Sequence, residues 1–180
     1  MIILGVDPSL SSTGICVMES EIGRVLSCVA IQIDKVGPER LAIFHREFRD
    51  IVQKYKEQDD ISAFVEGYAF GAKQQREALG ELGGVLRLTL HDEGINMTIV
   101  QPTSLKKFAT GTGKADKIKM GIYLYKEYEL EYPTSDQTDA YWLSQFGRHY
   151  LGLGAEMTKA QIEVISDMKS PKIVKKRVKK

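Results

Sequence analysis

Apolar residues in the first half of the chain follow two different spacings, which alternate along the sequence. Short runs of aliphatic and β-branched residues, bounded by turn-forming residues, are typical of strands. The first three runs are joined by short connections, so we expect them to form an antiparallel meander. The predicted strands cover residues 2–7, 13–18, 24–33, 61–66 and 96–100.

Between and after these runs, apolar residues recur every three or four positions, as in a helix with one buried face. The predicted helices cover residues 38–58, 74–91, 114–128 and 136–150, and Pro133 separates the last two. Strands that alternate with helices need parallel crossovers. The sequence therefore predicts an α/β fold with a mixed five-stranded sheet, in which three antiparallel strands precede parallel ones and helices cover both faces.

Four acidic residues stand where this pattern brings them close together. Asp7 and Glu66 close two strands that are predicted neighbours, so both lie at one edge of the sheet. Asp136 and Asp139 are three residues apart at a helix start and share one helical face. A carboxylate at the end of a buried strand is costly unless something binds it. Carboxylate ligands favour hard divalent cations, especially Mg²⁺.

Four carboxylates are a suitable number to hold two metal ions, which can activate water and stabilise the leaving oxygen in phosphodiester hydrolysis. In that arrangement Asp7 bridges the ions, while Glu66 and the pair Asp136 and Asp139 complete their coordination. Simpler explanations exist for single residues. Ser135 and Asp136 are ordinary helix-capping residues, and Glu66 alone could be solvated. The metal hypothesis rests on the four acids together.

Composition indicates an ordinary globular protein. The 180 residues suffice for one well-packed domain, with 43% hydrophobic and 27% charged residues. No apolar run approaches the roughly 20 residues of a membrane helix, and the N-terminus lacks a signal-peptide pattern, so we expect cytoplasmic residence. In a reducing compartment, we expect Cys16 and Cys28 to be structural thiols in preference to a disulfide.

Basic residues are concentrated in two places. The segment Gly111-Thr112-Gly113-Lys114 combines glycines, which let a backbone approach phosphate, with lysines at a predicted helix start. The last twelve residues carry seven positive charges and no acid. Such a polycation is attracted to nucleic-acid phosphates by counterion release. Solvated lysines without a partner are the alternative in both places.

The order and spacing of several motifs resemble the RuvC family of Holliday junction resolvases. The family's first catalytic aspartate, second acidic motif, dimer-helix motif and closing Asp-x-x-Asp-Ala all have similar segments here, over about residues 1–150. Those segments are residues 3–9 with Thr13-Gly14, residues 64–66, residues 79–81 with Gly84-Val85, and residues 136–140.

This resemblance implies an RNase H-like fold. We assign residues 1–152 to the nuclease domain and residues 153–180 to an extension that ends in a disordered basic tail. The resemblance also implies a homodimer, a requirement for Mg²⁺ or Mn²⁺ with two ions per site, and paired nicks in branched DNA that leave 5′-phosphate and 3′-hydroxyl ends. The catalytic and metal-binding residues would be Asp7, Glu66, Asp136 and Asp139.

For DNA contacts, the resemblance places a lysine at Lys117 and an aromatic wedge for the junction centre shortly after Glu66. Four neighbouring lysines lie close enough in sequence to extend a basic strip. Two loop aromatics are each suited to the wedge position, although both could simply pack within the loop. The predicted DNA-binding residues are Lys106, Lys107, Lys114, Lys117, Lys119, Tyr68 and Phe70.

Gly80, Gly83 and Gly84 interrupt the predicted helix 74–91, and each costs about 1 kcal/mol relative to alanine. Close packing compensates for this cost, either across a dimer interface or against the chain's own sheet. We predict a Mg²⁺-dependent endonuclease for four-way junctions. The alternatives are a nuclease that accepts flaps, forks and three-way junctions equally, a DNA-binding module without catalysis, and an actin-type ATPase, whose paired lobes need about twice this length.

Overall fold

The computed structural model describes residues 1–67 and 76–170. Its strands are β1 (Ile2–Asp7), β2 (Ser12–Glu19), β3 (Val25–Gln32), β4 (Ile61–Glu66) and β5 (Asn96–Val100). Its helices are α1 (Gly37–Lys56), α2 (Arg76–Asp92), α3 (Pro102–Thr110), α4 (Lys117–Tyr128), α5 (Ser135–Tyr150) and α6 (Lys159–Lys169). Among the helices of these two ranges, none has the length and apolar character that crossing a bilayer requires.

β1 is the central strand of a sheet with the order β3-β2-β1-β4-β5. All six of its residues are buried, because both faces are covered, and they form a continuous apolar run ending in Asp7. β1 pairs antiparallel with β2 and parallel with β4, and β5 continues the parallel part. The predicted mixed five-stranded sheet is therefore confirmed.

Two apolar layers enclose the sheet, because successive β1 side chains point to opposite faces. Leu4 points into the layer formed with α1 and α2, which includes Phe44. Ile3 points into the other layer, where α5 lies across β1 and β2 and buries Trp142 and Phe146 completely. Residues of α3, α4 and α6 extend this second layer.

The spacing of apolar residues does not predict α3 or α6, and the predicted element order is wrong in omitting them. α3 is short: it begins at Pro102 and ends at Thr110. The following residue, Gly111, has a φ of 78°, the left-handed conformation of a glycine cap. α6 lies within the predicted extension, where a capping box between Thr158 and Gln161 starts the helix. Residues 171–180, which contain most of the basic tail, lie outside the described chain.

α4 begins at Lys117 and not at the predicted residue 114. The reason is Asp116, whose side chain accepts a hydrogen bond of 2.8 Å from the backbone N–H of Lys119. This is N-cap geometry, in which the capping residue stays extended and the helix starts at the next position. Lys114 therefore belongs to the preceding loop, and Lys117 occupies the first helical position.

Cys16 and Cys28 are paired residues of β2 and β3, and both are free thiols. Burial, together with its contact to Cys28, raises the pKa of Cys16 well above its ordinary value. Cys28 also contacts α5 through Gln137. The Cys28 thiol donates to the Gln137 carbonyl at 3.6 Å, and Gln137 Nε2 donates to the Cys28 carbonyl at 3.0 Å. These two bonds link the first turns of α5 to β3.

Replacement of Gly5 by alanine should lower the free energy of unfolding by about 3 kcal/mol, because its Cβ would overlap the backbone oxygen of Ala140 and the Ser144 side chain. Urea unfolding of wild type and variant measures the change. Gly121→Ala is the matched control: apart from its chain neighbours and the adjacent backbone of its own helix, no described atom lies within 4 Å of that Cβ position. The substitution should stabilise α4 by about 0.5–1 kcal/mol. Equal effects of the two substitutions would contradict the packing described for α5.

Candidate metal centre

A groove of about 1500 Å³ opens at the edge of the sheet where β1 and β4 end. All four acids singled out in the sequence line it. Among the predicted lysines, Lys106 and Lys117 line it as well. The groove thus brings the four predicted acids and two of the predicted lysines around one space.

Asp7 and Glu66 meet because their strands are parallel neighbours. Val6 pairs with Val65, so the residue that follows each valine projects from the same edge of the sheet. This is the position that the predicted strand order assigns to both acids. Neither residue needs an unusual backbone conformation to reach it: no non-glycine residue of these two strands has a positive φ.

α5 brings its two aspartates to the same edge by approaching the sheet very closely. Gly14, the β2 partner of Asp7, makes this approach possible, because a Cβ there would overlap the backbone carbonyl of Asp136. Asp139 lies one helical turn further along α5 and projects towards the strand ends. Sequence spacing put the two aspartates on one helical face, and Gly14 determines how near that face comes to β1.

Asp7, Glu66 and Asp139 form a compact group, in which one carboxylate oxygen from each residue lies within 4.8 Å of the other two. Asp7 is 6% exposed and Asp139 is 8% exposed. Oδ1 of Asp139 is buried and has no hydrogen-bond partner in the described part of the chain. A buried carboxylate oxygen without a partner is costly, so the group is incomplete without a proton or a cation.

Burial and mutual repulsion raise the pKa of all three carboxyls. For Asp7 the largest cause is burial, followed by the charge of Glu66. Burial also raises the pKa of Glu66 and, together with the charge of Asp7, raises that of Asp139 to about 7. Lys106 and Lys117 oppose these shifts for Glu66 and Asp139 without cancelling them. Binding of a proton or a cation to these carboxyls is therefore favourable, because it neutralises their charge.

Asp136 lies beside this group but is not one of the three. Its Oδ1 accepts a hydrogen bond from Lys117 Nζ at 3.2 Å, and the same nitrogen donates to Ser135 Oγ at 2.8 Å. The capping explanation for Asp136 is wrong, because Thr134 is the N-cap of α5 and accepts from the backbone N–H of Gln137. Asp136 is thus a half-buried acid of the first turn with a lysine as its partner.

The three converging carboxylates fit a divalent cation. Their donor atoms are anionic oxygens alone, and hard cations of the magnesium and calcium type prefer such ligands. The partnerless Oδ1 of Asp139 supplies a second reason, since a bound cation would satisfy it. Asp136 stands close enough to the group to raise the pKa of Asp7 by its charge.

The other predicted lysines do not line the groove within the described residues. Lys107 forms an ion pair of 2.9 Å with Glu163 of α6, Lys119 lies over the ring of Tyr123, and Lys114 stays in the loop before α4. The role of these three lysines in a basic strip for DNA stays a prediction. The predicted wedge aromatics, Tyr68 and Phe70, lie outside the described chain.

Several cationic residues of the groove were not predicted from the sequence. They come from the loop after β3, from α1 and from α2, and only the tertiary fold brings them near the acids. No local signal separates them from other surface cations. They are Lys35, Arg40, Arg76 and Arg87.

The family model described as crossover junction endodeoxyribonuclease RuvC matches residues 3–141, a range that contains all four acids and ends before α6. The chain belongs to the RuvC family. RuvC of Synechococcus sp. (strain WH7803) is 32% identical over 147 residues, which cover 78% of this chain and 93% of the relative. RuvC of Petrotoga mobilis (strain DSM 10674 / SJ95) is 30% identical over 147 residues, which cover 78% of this chain and 88% of the relative.

Solved structures show that the RuvC fold is shared. Thermus thermophilus RuvC has a TM-score of 0.69 at 18% identity and covers 85% of this chain and 98% of its own. The structure of the same protein in complex with a Holliday junction substrate has a TM-score of 0.63 at 16% identity. This match covers 80% of the present chain and 90% of the Thermus chain. The implied RNase H-like fold is therefore confirmed.

Asp139→Asn should stabilise the protein in a chelating buffer at pH 8 by about 2 kcal/mol, because it removes a buried negative charge. The folded pKa of about 7 exceeds the ordinary value of 3.8, so the folded state of the wild type binds the proton more tightly. The stability of the wild type therefore falls as pH rises between these two values. The advantage of Asp139→Asn should accordingly be smaller at pH 5 than at pH 8, as measured by urea unfolding.

Asp50→Asn on the exposed face of α1 is the control and should change stability by less than about 0.5 kcal/mol at either pH. A loss of stability in Asp139→Asn at pH 8 would show that the Asp139 carboxylate of this RuvC site is not destabilised by burial and by the charge of Asp7.

Proposed function

We propose that this chain is a Mg²⁺-dependent endonuclease that resolves four-way DNA junctions as a homodimer, by paired nicks that leave 5′-phosphate and 3′-hydroxyl ends. The observation that carries the proposal is the convergence of Asp7, Glu66 and Asp139 in the groove of a RuvC-family fold. We propose that it acts in the cytoplasm, the compartment predicted from the sequence.

Asp7, Glu66 and Asp139 would hold the metal, with Asp136 as a fourth carboxylate, and we propose two Mg²⁺ ions per site with Mn²⁺ as a substitute. When bound, the metal supplies Lewis acidity for water activation and for the charge on the leaving oxygen. Strand ends and α5 hold the carboxylates in fixed positions. Lys106 and Lys117 face the same groove and attract the phosphates of the cleaved strand.

The relatives support the choice of substrate. The curated relatives carry the name crossover junction endodeoxyribonuclease, and the Thermus thermophilus protein was solved with a Holliday junction substrate. A nuclease that accepts flaps, forks and three-way junctions equally is the second candidate. A binding module without catalysis is disfavoured, because buried carboxylates facing a phosphate weaken DNA binding unless a cation lies between them. We retain Tyr68 or Phe70 as the proposed junction wedge on the basis of the family resemblance.

The decisive measurement is cleavage by the full chain of a synthetic four-way junction, a fork and a linear duplex, each with Mg²⁺ and with a chelator. We expect rapid cleavage of the four-way junction alone, and only with Mg²⁺. Asp7→Asn and Glu66→Gln should lower the cleavage rate at least about 100-fold while junction binding persists, because both remove charge from the metal ligands.

Equal rates on the fork and the four-way junction would favour the broader nuclease. An undiminished rate in Asp7→Asn would rule out the metal mechanism. Asp50→Asn serves again as the control, since it removes one charge from a site outside the groove and should cut at the wild-type rate.

The homodimer proposal rests on the exposed face of α2. Leu82 and Leu86 are buried in the chain's own core, so the opposite face is left for a partner. That face presents Gly80, Gly84 and Leu88 at four-residue spacing, and Leu88 is 59% exposed. Apart from its chain neighbours and the adjacent backbone of α2 itself, a Cβ at either glycine would have no described atom within 4 Å. The cost of these glycines is compensated if a second α2 packs closely against them.

Gly84→Gln should convert the dimer into a monomer, because a long side chain at this position prevents close approach of a second helix. Light scattering after size exclusion should give twice the chain mass of 20.2 kDa for the wild type and the single mass for the variant. Gly121→Gln, an equally open position on α4, should remain dimeric. A dimeric Gly84→Gln protein, or a monomeric wild type, would reject this interface.

A further inference from the structure

Lys117 is positioned to neutralise the acidic groove from within the protein. It is the first residue of α4, and its backbone position is fixed by the Asp116 cap. Its Nζ is hydrogen-bonded to both Ser135 and Asp136, two successive residues in the first turn of α5. One ammonium group therefore bridges the starts of two helices at the rim of the carboxylate group.

This contact differs from an ordinary surface ion pair. The Asp136 side chain is only 13% exposed, whereas Lys117 is 62% exposed, so the flexible partner reaches in from solvent towards a fixed acid. Burial lowers the pKa of Lys117, but attraction to Asp136, and then to Asp7 and Asp139, outweighs it and raises the pKa. The lysine thus interacts with the whole acidic group and not with Asp136 alone.

The remaining charges show why such a cation is needed. Asp7, Glu66, Asp136 and Asp139 all face the groove, and among the described residues Lys106 and Lys117 have charges that lower the pKa of Glu66 and Asp139. Of these two, Lys117 has the direct contact with an acid, at 3.2 Å. Without a bound cation, Lys117 is therefore a principal source of compensating charge for the group.

We propose that Lys117 is an internal counter-cation: it stabilises the acidic groove in the metal-free protein and competes with divalent metal for the charge of Asp136. The inference rests on the proposed metal-dependent function. Two cations that share one carboxylate lower each other's affinity by the same factor, since coupling between sites is reciprocal. Metal binding at the acids then weakens the hold on Lys117 and makes its ammonium group available to a DNA phosphate at the same groove.

This arrangement couples two requirements of the reaction. In the metal-free state the lysine pairs with Asp136, so its attraction to phosphate is reduced. In the metal-bound state the acids have another partner, and Lys117 contributes its charge to the phosphate instead. The groove then attracts DNA most strongly when it is also able to cleave it.

The test compares Lys117→Gln with Lys114→Gln, which removes the same charge from an exposed position three residues earlier, outside the groove. Thermal unfolding of each full-length variant, without DNA, is followed as Mg²⁺ is added at low ionic strength. We expect Lys117→Gln to have a lower Tm than wild type in chelator, and its Mg²⁺ midpoint to fall about three- to tenfold, because an opposing positive charge is gone. Lys114→Gln should keep both values near those of the wild type.

A double-mutant cycle assigns the effect to the stated contact. In an Asp136→Asn background, Lys117→Gln should lower the Tm in chelator less than it does in the wild type, because the acid in direct contact with the lysine is already neutral. A Mg²⁺ midpoint that is unchanged or raised in Lys117→Gln overturns the counter-cation proposal. A wild-type protein whose Tm does not respond to Mg²⁺ or Mn²⁺ at all instead overturns the metal-dependent function, so the two failures are distinguishable.

Discussion

The close approach of α5 to the centre of the sheet is the constraint on which the rest of the structure depends. Gly5 and Gly14 allow the helix to come near the sheet, and Gly147 allows the sheet side chains to come near the helix. At each position a Cβ would overlap atoms of the opposing element. The resulting distance places Asp139 at the ends of β1 and β4, where helix and strands meet at one edge. Backbone packing, and not the acids themselves, therefore determines where the carboxylates lie.

That packing imposes an electrostatic cost. The carboxylates cannot move apart without separating α5 from β1, and a buried charge that lacks a partner destabilises a protein by about 3–5 kcal/mol. The shifts in pKa express this conflict, with Asp139 near 7 and Asp7 and Glu66 also raised. A proton, the ammonium group of Lys117 or a divalent cation can each neutralise part of this negative charge. A group of buried carboxylates that repel one another favours binding of a cation, because the cation removes part of that repulsion.

Much of this architecture was predictable because it follows from local patterns. Short apolar runs predicted the five strands, and three-to-four spacing predicted four of the helices. The order of elements predicted Asp7 and Glu66 at one edge. α3 escaped prediction because nine residues give too few turns for a helical period. Contacts that join distant segments were not predicted either. Lys107 forms an ion pair with Glu163, and Asp136 forms one with Lys117. Such pairs depend on which helices become neighbours, and single-sequence spacing carries no information about that choice.

The two hydrogen bonds between Cys28 and Gln137 have a mechanical consequence. Gln137 stands between the two aspartates of α5, and Cys28 belongs to β3, the outermost strand on its side of the sheet. None of the residues of β3 lines the groove, yet Gln137 connects this edge strand by hydrogen bonds to the turn that carries both acids. We therefore expect substitutions at Cys28 to alter the positions of Asp136 and Asp139 from outside the groove.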